Sequence, residues 1–240
     1  MTESFFHNNF LNNNDKTYDI KIKISRLSKH VINLNPVPIF INENISCFNL
    51  INLNLKKFIS EKFDSSLIKI EKAFETRSPE FLSVDQDSAA NINYIMKNRN
   101  NKYINILHYE VINGVKDILK TVYSFNGDFR LVYCKTTCLT YDNFTFLNTH
   151  RHFDREYEFQ DNQRKLNIIG VYYIDDGDPD DTNKYCGCIS LLTNNKTFHI
   201  RPKNGTLILF EGNLQHLVNP FISRSDKKRQ VITMNICVFF

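Results

Sequence analysis

The strongest constraint on this chain lies in its last ninety residues, where chemistry-bearing side chains sit in a fixed order on strand-like sequence. His152-Phe153-Asp154 comes first, followed by the apolar run Ile168-Ile169-Gly170-Val171-Tyr172-Tyr173-Ile174. Pro202-Lys203-Asn204-Gly205-Thr206-Leu207-Ile208-Leu209-Phe210, His216 and Arg229 follow. Side chains alternate along a strand, so a His and an Asp one residue apart face the same side and can grip one ion. Two neutral imidazoles and a carboxylate form the facial set that holds non-haem Fe(II) and leaves other coordination positions open. His152, Asp154 and His216 are the candidate metal ligands and catalytic centre, and Arg229 is placed to return on the next strand and clamp a carboxylate with its planar fork.

Order and context carry this reading, because the short motif alone does not. Seven His and 26 acidic residues in 240 positions give about 0.8 chance occurrences of a His followed two residues later by an acid. His150-Arg151-His152 offers a second pair on one face. The His152/Asp154 pair is preferred because a carboxylate partly neutralises Fe(II), which leaves His150 as a flanking residue.

The layout His-x-Asp, Tyr-Tyr strand, Pro-x-x-Gly-x-Leu-x-x-Phe, His and Arg resembles the 2-oxoglutarate/Fe(II)-dependent dioxygenase superfamily in its prolyl-hydroxylase-like branch. Gly170-Val171-Tyr172-Tyr173 and Arg229-Gln230-Val231-Ile232-Thr233-Met234-Asn235 also resemble the 2-oxoglutarate oxygenases of phage and bacterial genomes, whose cores read His-x-His, Gly-Val-Tyr-Tyr, His and Arg-x-x-x-x-x-Asn. The resemblance covers residues 130–240. It departs at Phe210-Glu211, where those relatives often carry Phe-Pro, and at the longer link 155–167. It implies a hydroxylase that uses Fe(II), O2 and 2-oxoglutarate and releases succinate and CO2. Arg229 would then bind the distal carboxylate of 2-oxoglutarate, with Tyr173 as a further donor and Thr233, on the same strand face, within reach of the same pocket. Without a function, Tyr173 reads as a core aromatic and Arg229 as part of the basic turn Lys227-Lys228-Arg229.

Length and composition suit a single globular oxygenase domain over 18–240, preceded by a polar, Asn-rich tail at 1–17 expected to lack order. The fold class expected is mainly β, a double-stranded β-helix (a cupin-like jelly roll) with supporting N-terminal α-helices. The helical support spans about 50–125. Ile51, Leu55, Phe58, Ile59 and Phe63 recur at helical spacing, as do Ile104, Leu107, Val111, Val115, Ile118, Leu119 and Val122, with a stop signal at Asn126-Gly127. The barrel core spans 129–240, and Val37–Ile41 is a further strand candidate.

A net charge of +4 spread among acids argues against a nucleic-acid surface. There is no apolar run of membrane-spanning length, and the first residues lack a secretory pattern, so a cytoplasmic protein with reduced cysteines is expected. Cys134/Cys138 and Cys186/Cys188 could gather around zinc, but in strand sequence they read as small apolar residues. The loop Asp175-Asp176-Gly177-Asp178-Pro179-Asp180-Asp181 has three readings: a solvated hairpin, a calcium site without EF-hand spacing, or a lip that attracts a basic substrate. The substrate itself is read only as a small molecule or a peptide. A cupin-like barrel serving as a binding or structural module is the alternative to catalysis, and a metal enzyme without 2-oxoglutarate would leave Arg229 dispensable.

Overall fold

The computed structural model describes residues 17–18, 29–33, 38–43, 45–63, 89–91, 96, 101–152, 164–193 and 196–240. Most of the expected N-terminal tail, and Asp154 with the following link up to residue 163, lie outside the described residues. The described elements run β1 (Thr17–Tyr18), β2 (Lys29–Asn33), β3 (Pro38–Asn42), α1 (Phe48–Phe63), β4 (Ala89–Asn91), α2 (Lys102–Tyr123), β5 (Arg130–Tyr141) and β6 (Leu147–His150). They continue with β7 (Lys165–Asp175), β8 (Ile189–Leu192), β9 (Thr197–Ile200), β10 (Leu207–Glu211), β11 (Gln215–Val218) and β12 (Arg229–Phe239).

Two sheets form the jelly roll. The larger has the order β2-β3-β10-β7-β12-β5-β4 and the smaller β1-β9-β8-β11-β6. The β12 strand is the spine of the larger sheet, pairing antiparallel with β5 from Arg229 to Phe239 and with β7 from Gln230 onward. The strand expected near Val37–Ile41 is β3, which joins this sheet between β2 and β10.

Period-two alternation sorts the larger sheet into two cores. Ile168, Tyr172, Ile174, Leu209, Ile232, Met234 and Ile236 face out and pack with Ile51, Leu55, Ile59, Leu107, Val111, Val115 and Ile118 of the helices. Ile169, Val171, Tyr173, Phe210 and Val231 face in and meet Leu147, Ile189, Leu191 and Val218 of the smaller sheet. The neighbouring tyrosines therefore part company. Tyr172 donates to Asn52 Oδ1 of α1 at 2.6 Å, while Tyr173 enters the space between the sheets.

The helices buttress one sheet as expected, and the glycines show how closely. A Cβ on Gly114 of α2 would stand 2.6 Å from Leu209 Cδ1 and 2.7 Å from the Phe40 ring, so the helix rides against β10 and β3 at a point where only glycine fits. The side chain of Asn101 caps α2 by accepting from Tyr103 N–H at 2.9 Å. The helix ends three residues before the expected stop: Ser124 turns left-handed at φ 53°, which lets Phe125 pack edge-on against Phe240 at 5.1 Å. Contact with the far end of the chain outweighed the Asn126-Gly127 turn signal.

Candidate active site

Three histidines converge where the two sheets open. His150 on β6 and His216 on β11 are direct cross-strand partners, so their side chains share a face. His152 follows β6, and its backbone is pinned on both sides: its N–H donates to the Gly212 carbonyl at 2.9 Å, and its carbonyl accepts from Asn167 Nδ2 at 3.3 Å. Ring centroids lie 4.2 Å apart for His150 and His216, 5.0 Å for His150 and His152, and 5.2 Å for His152 and His216. Among the described residues these three form a potential metal-binding group, with their ligand atoms within 4.8 Å of one another.

Their hydrogen bonds prepare them for a metal. His216 Nδ1 donates to the Leu214 carbonyl at 2.9 Å and His150 Nδ1 to the Asn148 carbonyl at 2.7 Å. A carbonyl can only accept, so each Nδ1 carries the proton and each Nε2 keeps its lone pair, the usual outer partnership of a metal-bound imidazole. Burial is the main force keeping all three neutral. It pushes the His216 pKa down to about 3, helped by the nearby His150 and resisted by the Leu214 carbonyl. Burial, with His150 and Lys135, takes His152 down to about 4, and burial lowers His150 against the opposing Asn148 bond.

From this cluster a cavity of about 40 Å³ runs inward between the sheets to Arg229. The Arg229 side chain is fully buried. Its Nε donates to the Asp176 carbonyl at 3.3 Å and Nη1 to the Gly187 carbonyl at 2.5 Å, while Nη2 has no partner. The guanidinium lies 4.6 Å from the Phe221 ring centroid and 5.7 Å from that of Tyr173. A buried cation held by two carbonyls and two ring faces, with a donor to spare, is built to receive an anion, because leaving it unpaired costs several kcal/mol.

Tyr173 and Thr233 line the same cavity, and Thr233 Oγ1 also donates to the Thr137 carbonyl at 3.4 Å. Burial raises the Tyr173 pKa to about 12, partly offset by the positive charge of Arg229, so its hydroxyl keeps its proton and can donate. Among the polar cavity residues, Tyr141 was not singled out from sequence. Tyr141 is the register partner of Arg229 across β5 and β12, and burial likewise raises its pKa. The only sequence signal was a tyrosine ending a β-rich run, which does not say what it faces. His150, which the sequence offers as an alternative partner of His152 and reads as flanking, lines the cavity as well.

The acidic loop stands at the Arg229 end, and partners within the protein engage its carboxylates. Asp178 pairs with Arg224 at 2.5 Å, Asp181 with Arg224 at 2.5 Å and Arg201 at 3.2 Å, and Asp175 with Lys56 at 2.5 Å. The loop backbone also helps hold Arg229. Of the cysteines considered for zinc, Cys138, Cys186 and Cys188 are buried, and Cys134 approaches Cys237 instead.

No protein-family model and no curated protein matches the sequence. Solved structures do match in fold. A prolyl hydroxylase from Trichoplax adhaerens, in complex with a hypoxia inducible factor peptide fragment, aligns with TM-score 0.54 and 16% identity over 85% of this chain and 84% of its own. The fold is that of the 2-oxoglutarate/Fe(II) oxygenases. HygX from Streptomyces hygroscopicus, with nickel and 2-oxoglutarate bound, aligns with TM-score 0.51 and 8% identity over 84% of this chain and 83% of its own. A Pseudomonas putida prolyl-4-hydroxylase aligns with TM-score 0.50 and 12% identity over 85% and 94%.

Proposed function

We propose that this protein is a 2-oxoglutarate- and Fe(II)-dependent dioxygenase that hydroxylates a C–H bond of a peptide side chain or a small molecule, releasing succinate and CO2. The observation that carries the reading is the fully buried Arg229, which has an unpartnered Nη2 and lines one narrow cavity with convergent neutral imidazoles. A ring-faced guanidinium fits the distal carboxylate of a dicarboxylic acid, and lone-pair-bearing imidazoles fit a divalent iron. A structural module with this shape would have no use for either.

His152 and His216 would supply two ligands. Asp154, two residues beyond His152, supplies the third in the reading taken from sequence, and the placement of His150 within the cluster favours a second reading in which its imidazole takes that role. When bound, iron and 2-oxoglutarate supply the oxidising chemistry. The chain's own work is positional. Arg229 would hold the far carboxylate, with Tyr173 and Tyr141 lining the same cavity, and the apolar walls of Val171, Val231, Leu139 and Ile189 would exclude water.

Anaerobic addition of Fe(II) and 2-oxoglutarate to the purified protein tests this directly. A weak visible charge-transfer band from the chelate is expected, and its absence at saturating concentrations of both would sink the proposal. Iron content measured in His150→Ala and Asp154→Asn separates the two ligand sets: the variant that loses iron names the third ligand.

A further inference from the structure

We propose that Cys134 and Cys237 form a redox-sensitive dithiol that a hydroperoxide closes to a cross-strand disulfide beside the candidate metal site. A single backbone irregularity brings the thiols together. Asn235 of β12 pairs with Lys135 of β5, but Ile236 pairs with Tyr133, so Cys134 is the extra residue of a β-bulge. In regular pairing Cys134 would stand opposite Ile236 and point to the other face from Cys237. The bulge turns it to the same face, and the two sulfurs come to 3.0 Å, about 1 Å beyond the ~2.05 Å of a disulfide bond. Cys134 is half-buried and reachable by a small oxidant, while Cys237 is buried at 3% exposure. That is the arrangement of an attacking thiol with a resolving partner.

The chemistry balances with the oxidant named. The Cys134 thiolate attacks one peroxide oxygen, giving a sulfenic acid and releasing the other oxygen as water after protonation. Cys237 sulfur then attacks Cys134 sulfur and expels the hydroxyl, which leaves as water with the remaining thiol proton. Two thiols and one hydrogen peroxide become one disulfide and two waters, and a dithiol reductant reverses the change.

Position gives this bond a consequence. Asn167 of β7, the register partner of Cys237, donates its side-chain N–H to the His152 carbonyl at 3.3 Å. A staple from β5 to Cys237 of β12 therefore bears on the β7 position that holds the His152 backbone. This coupling rests on the metal reading given above, whereas the disulfide does not.

Treating the protein with hydrogen peroxide and counting thiols after denaturation should lower the number from six to four, with peptide mapping showing a Cys134–Cys237 link that dithiothreitol removes. Neither Cys134→Ser nor Cys237→Ser should form it. Linkage through other cysteines, or six thiols remaining, would overturn the proposal. Co(II) affinity measured by calorimetry should differ several-fold between the reduced and oxidised wild type, and should not respond to peroxide in Cys134→Ser. A disulfide that forms with no change in Co(II) affinity refutes the coupling. Reduced protein that binds no Co(II) refutes the metal reading instead and leaves the dithiol standing.

Discussion

Arg229 shows how a single residue concentrates the logic of the cavity. Its desolvation is tolerated because two carbonyls and two aromatic faces receive it, yet one donor is left over for a ligand. Replacement by Ala should weaken 2-oxoglutarate binding by at least about tenfold, since hydrogen bonds to charged groups contribute about 1.5–3 kcal/mol and 1.4 kcal/mol is a decade. Calorimetric titration checks this, with Co(II) binding expected to persist. Arg229→Lys should restore part of the loss, because an ammonium keeps the charge without the fork. Equal co-substrate affinity in wild type and Arg229→Ala would remove the anchor from the proposal. His152→Ala and His216→Ala should each abolish retention of iron, read as metal content after gel filtration.

The elements hold these residues through glycine as much as through side chains. Gly187 adopts φ +60° against the Arg229 guanidinium, and a Cβ there would overlap it. Gly187→Ala should therefore cost about 1–2 kcal/mol in left-handed strain and, by displacing the guanidinium, weaken 2-oxoglutarate binding alongside the stability loss. Unchanged affinity would show that the loop does not position Arg229. Gly114→Ala on α2 tests the helix–sheet contact. Ala favours the helix by about 1 kcal/mol, but overpacking against buried Leu209 and Phe40 costs about 1–3 kcal/mol, so overpacking should win. The expected result is a Tm lower by roughly 2–4 °C for each kcal/mol lost, and a raised Tm would mean that α2 can shift outward freely. The ion pairs of the acidic loop are exposed and contribute little to stability.

At the scale of the whole molecule, the histidine cluster ties stability to pH. Burial holds the folded pKa of His216 down to about 3 and that of His152 to about 4, below the usual imidazole value of about 6.5, so on acidification the unfolded chain binds protons that the folded chain refuses. Their contribution in the metal-free protein is intact above about pH 6.5 and is lost as pH falls from there toward the folded values. Thermal melts should show Tm declining across that window, and less steeply in His216→Ala. A flat profile between pH 6.5 and 4 would mean that the imidazoles are better hydrated than their burial indicates. The two-sheet architecture also explains why the helices lie far from the chemistry: they cover the outer face of the larger sheet, whose inner face carries Tyr173, Arg229 and Thr233.

Local periodicity in the chain encodes its strands and helices. The continuous apolar run Ile168–Ile174 and the β-rich sequence from Arg229 marked two strands, strand period put Arg229 and Thr233 on one face, and apolar spacing marked α1 and α2. The order of His152, His216 and Arg229 named residues that the fold then gathered around one cavity. What local spacing does not encode is which strand lies beside which, and where a bulge shifts the register. Pairing of β6 with β11 brought His150 against His216, pairing of β5 with β12 set Tyr141 opposite Arg229, and the bulge at Cys134 turned its sulfur toward Cys237. Each of these contacts joins residues at least 66 positions apart in the chain, so only long-range hydrogen-bond register, stabilised by burial between the sheets, could decide them.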